Sequence, residues 1–229
     1  MIGSFSAHRQ VLWPLAFLVS IPAMAQEVPG CGTLLNANGP WDYTNAQHVA
    51  ERLPIVERHH FRIDTQRLQV DSLDGKSPGD DMDYTLRAFP NHHKALYTMS
   101  MLELTTKQSP PMNASYTADC YFKRAIAFRP QDGTVRMIYA GFLHKTGHLQ
   151  AALEQYDAAS QMMSESPELQ YNLGLLHFDL GNFDESLEYA HLAYAAGFPL
   201  PGLKKRLSTS GHWREPAKST GPSSATVAP

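Results

Sequence analysis

Apolar positions in the second half of the chain recur at a fixed interval. When YAGFLHKTGHLQAALEQYDAA (139–159) is set above LGLLHFDLGNFDESLEYAHLA (173–193), Ala140 falls on Gly174, Gly147 on Gly181 and Leu149 on Phe183. Ala152 falls on Ser186, Leu153 on Leu187 and Ala159 on Ala193, always 34 residues apart and without a gap. One more step back brings in ADCYFKRAIAFRP (118–130), where Ala118, Phe122 and Ala125 meet Ala152, Tyr156 and Ala159. Pro130 closes that unit, as a proline after a helix should. NHHKALYTMSMLELTTK (91–107) supplies a preceding helix, with Ala95, Leu96, Met99, Leu102 and Leu104 near helical period. QSPPMN (108–113) then breaks the chain, so this first unit is irregular.

The pattern predicts paired antiparallel helices. Small residues mark the crossings, Ala140 against Ala152 and Gly174 against Ser186, and larger apolar residues fill the rest of each interface. Gly147 and Gly181 stand at the turns, where a left-handed backbone ends a helix. One hairpin cannot bury its own apolar face, but stacked neighbours can.

With this order of small residue, glycine, aromatic or leucine, alanine, aromatic, alanine and proline, the 34-residue unit resembles the tetratricopeptide repeat. YNLGLLHFDLGNFDESLEYA (171–190) is the closest copy, and the resemblance covers 118–199. It departs at Ser186, where the family usually has alanine, at Arg136, where it often has tryptophan, and at the late Pro167. The resemblance implies an all-α, TPR-like helical-hairpin solenoid of about three repeats, with units near 91–132, 133–166 and 167–199 and a capping helix at 200–207. Residues 26–90 do not repeat. They are expected to form an irregular N-terminal cap against the exposed end of the stack, and the Ser-, Pro- and Gly-rich 208–229 reads as a disordered tail.

The N-terminus changes the picture of compartment. Arg9 precedes VLWPLAFLVSIPAMA (11–25), which ends in the triplet Ala23-Met24-Ala25, the layout of a secretory signal peptide cleaved after Ala25. The apolar run is short for a permanent span. A retained anchor and lipid attachment at Cys31 are the alternatives, the latter opposed by the intervening Gln26, Glu27 and Pro29. The mature protein is expected in the periplasm, soluble. Two cysteines, Cys31 and Cys120, permit one disulfide in an oxidising compartment; two buried thiols are the other reading. A net charge of −3 gives no footprint for nucleic acid.

Candidate chemistry concentrates in GDDMDYTLRAFPNHHKAL (79–96). Its aspartates either cap helices, Asp80 or Asp81 starting one through 83–89, or join histidines on a metal. A metal set would gather His59, His60, His92, His93 and Asp81 from separate segments. Adjacent helical histidines point about 100° apart, which disfavours convergence. His144 and His148 have i, i+4 spacing, but Gly147 intervenes. Asn91 is the expected N-cap of the helix after Pro90. No phosphate loop, nucleophile elbow or haem motif is present, so no enzymatic reaction and no cofactor are expected.

The resemblance implies a concave groove that binds a peptide or a protein partner. Its positions are Met137, His144 and Lys145 in the middle repeat and Tyr171, Asn172, Leu175, Phe178 and Asp179 in the last. Lys204, Lys205 and Arg206 follow as either a carboxylate receiver or a solvated helix end. The functional expectation is a periplasmic adaptor for a cell-envelope partner, in pilus, envelope or polysaccharide assembly. The alternatives are a metal protein built on residues 59–93, and a structural subunit whose groove holds its own N-terminal segment.

Overall fold

A computed structural model describes residues 27–70 and 75–216. The expected signal sequence, 1–25, and the last part of the expected tail, 217–229, lie outside the described residues. The fold is all-α, with one two-residue antiparallel ladder between β1 (Glu27–Val28) and β2 (Gly32–Thr33). Four helices precede the repeats: α1 (Ala46–Glu51), α2 (Leu53–His60), α3 (Ile63–Gln66) and α4 (Pro78–Ala88). Then come α5 (His93–Thr106), α6 (Ala118–Phe128), α7 (Gly133–Lys145), α8 (Leu149–Met163), α9 (Pro167–Asp179), α10 (Phe183–Ala195) and α11 (Gly202–Thr209).

The 34-residue interval survives in atomic detail. Asp132 caps α7 through Val135 N, and Ser166, 34 residues later, caps α9 through Leu169 N. Gly147 and Gly181 hold φ of 82° and 80°. Behind each, an amide reaches back five residues: His148 N to Leu143 O and Asn182 N to His177 O, both 2.9 Å. This satisfies carbonyls that the helix end would leave bare. The predicted small-residue crossings are sealed, with Ala140, Ala152 and Ser186 buried. Ser186 Oγ donates to Gly174 O at 2.7 Å. A Cβ on Gly174 would meet Leu203 Cδ2 at 2.5 Å, so α11 packs directly on that glycine. Helices α5, α7, α9 and α11 stand in sequential contact.

Before the repeats the chain is more regular than its composition suggests. Pro54 opens α2. Residues 78–88 form a full helix because Ser77 and Asp80 make a reciprocal capping box with Pro78 in the first turn. His92, not Asn91, caps α5: its Nδ1 accepts from Ala95 N at 3.2 Å. Asn91 is buried and bonded elsewhere, because the tight packing around it needs both faces of its amide.

In the stretch 208–216, read from composition as tail, residues 212–214 pack against α10 and α11. Trp213 lies edge-on against His191 and Tyr194 and under Lys204 Nζ, 4.5 Å from the ring centre. His212 stacks on Phe183 with ring centres 3.8 Å apart, and Arg214 pairs with Asp184 while its carbonyl lies 2.8 Å from His191 Nε2.

The N-terminal ladder is clipped to α6. Cys31 and Cys120 form a disulfide with Cα atoms 5.3 Å apart. Beside it the buried Arg124 donates through Nη1 to Cys31 O at 2.9 Å and Thr33 O at 2.7 Å, with its guanidinium 4.6 Å from the Tyr116 ring centre. Val28 and Leu34 pack on Ala127 and Phe128. The bridge closes a loop of 89 residues. Replacing both cysteines with serine should therefore cost about 4–5 kcal/mol of stability in the chain-entropy model. Denaturant unfolding of the oxidised protein against Cys31→Ser/Cys120→Ser measures this.

Candidate functional site

Three aspartates of the 79–96 stretch go to three different tasks. Asp80 caps α4. Asp81, buried, accepts from Thr65 Oγ1 at 3.3 Å and pairs with His60 Nδ1 at 3.1 Å. Asp83 accepts from Arg87 Nε at 2.8 Å, from Ser115 N at 3.1 Å and from the Tyr121 hydroxyl. The histidines divide in the same way. His92 Nε2 meets Glu57 at 3.1 Å, His93 Nε2 meets Asp132 at 2.9 Å, and His59 is exposed. His60, His92 and His93 each have their own carboxylate. Among the described residues no three His, Cys, Asp or Glu side chains gather as a metal site would need. His59, His60, His92, His93 and Asp81 thus do not converge.

What this arrangement does is tie helices. The three pairs join α2 to α4, α2 to α5, and α5 to the N-terminus of α7. Asn91 threads between them, donating to Asp42 at 2.8 Å and Asp132 at 3.0 Å and accepting from Tyr43 N at 2.9 Å. Because His92 Nδ1 accepts from a backbone amide, its proton sits on Nε2 and points at Glu57. Burial holds the His92 pKa below the ordinary histidine value, against the pull of Glu57. The His92 hydrogen bond holds Glu57 below the ordinary carboxylate value. Burial alone would raise Asp132, but hydrogen bonds from His93, Asn91 and Val135 N outweigh it and hold it low.

On another face, α5, α7, α9 and α11 line a trough. Three adjoining cavities of about 480, 180 and 380 Å³ run along it. The first lies between Phe61, Tyr97, Met137 and Ile138, and the second between Tyr97, Gly141, Tyr156 and Asn172. The third ends at His144, Leu175, Asp179 and Arg206. Neighbouring cavities share lining: Tyr97, Met137, Ile138 and Glu168 join the first two, and Gly141, Lys145, Tyr156 and Asn172 join the second to the third.

Six of the sequence-derived groove residues line this trough: Met137, His144, Lys145, Asn172, Leu175 and Asp179. Two do not. Tyr171 is buried against Phe198, with ring centres 4.4 Å apart, and Phe178 lies against Phe183 and beneath Arg206. Both belong to the core that α9 shares with α10 and α11, because the capping helix covers that side of α9.

His144 Nε2 reaches Asp179 Oδ2 at 2.8 Å, and Arg206 pairs with the same carboxylate. Burial would raise Asp179, but the Arg206 and His144 hydrogen bonds outweigh it and keep it low.

Sequence reasoning missed Tyr97, Gly141, Tyr156 and Glu168. Tyr97 lies off the apolar stripe of α5 and is half exposed. The signal for the next two was in the alignment: where the last unit has Leu175 and Ala190, the middle unit has Gly141 and Tyr156, reversing large and small.

Among the described residues, none of 27–60 lines the trough. Residues 27–34 lie on α6, and Trp41 and Tyr43 pack on Phe89 and His92; from this part of the chain, Phe61 and Gln66 line its end. A search against protein-family models finds no match to this chain.

The junction carries a definite pH sign. A histidine whose folded pKa is depressed binds its proton more weakly than in the unfolded chain, so stability is present above the ordinary value of 6.5 and is lost as pH falls below it. Glu57 and Asp132, also depressed, add losses at lower pH, as it falls through their folded values. The thermal midpoint should fall between pH 7.5 and pH 5.5. In His92→Asn, which keeps a capping side chain, that slope should flatten; calorimetry across the window measures both.

Proposed function

We propose that this chain is an exported adaptor of the cell envelope, with a TPR-like solenoid whose trough holds an extended segment of a peptide or protein partner. The single observation that carries the reading is the continuous trough along α5, α7, α9 and α11. It combines apolar wall (Met137, Ile138, Leu175), an exposed aromatic (Tyr97) and hydrogen-bonding side chains (Tyr156, Asn172, Glu168) without side-chain hydrogen bonds among the described residues. A few polar side chains converging on an apolar groove give a ligand fixed points of attachment.

The dimensions suit an extended chain. Four helix axes spaced about 8–10 Å apart span roughly 27 Å, which about eight residues cross at roughly 3.3 Å each. Lys94 and Lys145 stand on the rim, and Lys145 is held by the Tyr97 ring and Met101 Sδ, with no carboxylate on it among the described residues. The apolar run at 11–25 and the disulfide both fit export to an oxidising compartment, and the periplasm is the location we infer. Pilus, envelope and polysaccharide assembly are the settings in which such an adaptor would work.

The test is photo-crosslinking in the periplasm of intact cells, with a photoreactive residue at Tyr97 in the trough or, as a control, at the exposed Leu192 on α10. Discrete adducts from position 97, absent from position 192 and lost when Lys145→Glu is added, are expected. The same adducts from both positions, or none from 97, would contradict a partner in the trough.

A further inference from the structure

The middle of the trough is built differently from its ends. In the last hairpin a large residue on the first helix, Leu175, corresponds to a small one on the second, Ala190; the middle hairpin has Gly141 and Tyr156. With no side chain on Gly141, the phenol of Tyr156 rises from α8 through the gap. A Cβ on Gly141 would stand 3.7 Å from its oxygen. Tyr156 is 1% exposed, yet it lines two of the cavities. Among the described residues its hydroxyl has no hydrogen-bond partner.

Two further side chains at the same cavity share that condition. The Asn172 amide and the Glu168 carboxylate make no hydrogen bond or ion pair among the described residues. The notch of about 180 Å³ therefore presents a phenol, an amide and a carboxylate, with Lys145 at its edge. Burial first, and Glu168 second, keep the phenol protonated far above neutral pH, so it donates.

The donor and acceptor inventory selects among peptide side chains. A carboxylate would gain Lys145 but stand against Glu168, and an ammonium would do the reverse. Both would shed hydration on entering. An apolar side chain would cover the Tyr156 phenol and leave it unpaired, while the exposed Glu168 stayed hydrated. A primary amide carries an acceptor for the phenol and two donors for Glu168 and the Asn172 oxygen, and no charge. We propose that the Gly141–Tyr156–Asn172 notch is the specificity subsite of the trough and takes the side-chain amide of an asparagine or glutamine in an extended peptide. The inference rests on the trough being a peptide-binding face.

The experiment is selection of a random nonapeptide display library on the mature chain with its disulfide intact, followed by affinity measurement with the synthetic peptides. Selected sequences should share Asn or Gln at one position, and Leu at that position should weaken binding tenfold or more. Tyr156→Phe, which keeps the ring, should weaken the amide peptide about fivefold and leave the Leu peptide unchanged. Gly141→Leu, checked for helical content, should erase the amide preference while other positions of the peptide still contribute. Trough-binding peptides with another residue type at the fixed position, or no effect of Tyr156→Phe, would overturn the notch and leave the trough standing. No selected peptide, or peptides whose binding Tyr97→Ala does not touch, would overturn both.

Discussion

A helical hairpin closes one apolar face on itself and leaves the other bare, and the structure follows from how that bare face is covered. Inside the stack the next hairpin covers it, while the small crossings of Ala140 with Ala152 and of Gly174 with Ser186 bring the two helices of each hairpin close. At the C-terminal end α11 covers it, with Leu203 pressed against Gly174 and Leu207 buried. At the N-terminal end no repeat is available. The chain covers that end with short helices and a clipped ladder, which bury Phe61, Met82, Leu86 and Phe89 and are tied further by a disulfide, the buried Arg124 and histidine–carboxylate pairs.

That division explains what was legible in the sequence. Periodicity reports packing that repeats, so α7 to α10 could be placed from Gly147, Gly181 and the alanines alone. The N-terminal cap has no period, and its order comes from contacts far apart in the chain. His92 meets Glu57 across 35 residues, Asn91 meets Asp42 across 49, and Arg124 meets Cys31 across 93. Nothing local marks such pairs, and so a set of histidines and aspartates suited to a metal proved to be three separate ties. The segment 212–214 is the converse case, where His212, Trp213 and Arg214 each find a partner on α10 in a stretch whose composition reads as tail.

The trough follows from the same stacking. Helices α5, α7, α9 and α11 each turn one face to their neighbours in the stack and one to the open side, so the lining residues lie outside the apolar pattern that identified the repeats. Six groove positions came from the implied alignment, while Tyr171 and Phe178 were lost to the core under α11. Of the residues that give the trough its character, Tyr156 keeps the aromatic position it shares with Phe122, and the departure is visible only against the last unit, where Gly141 and Tyr156 fall on Leu175 and Ala190. Where a repeat protein departs from its own period without losing packing, the departure is where a specific contact can be built.

Titration of the isotope-labelled full chain with a selected nonapeptide, followed by amide chemical shifts, tests the binding face most directly. A peptide lying along the trough should shift amides of α5, α7 and α9 around Tyr97, Gly141 and Asn172, and leave α2, α10 and the Trp213 segment unmoved. Shifts confined to α2 and α3, or to the surface around His191 and Trp213, would contradict it.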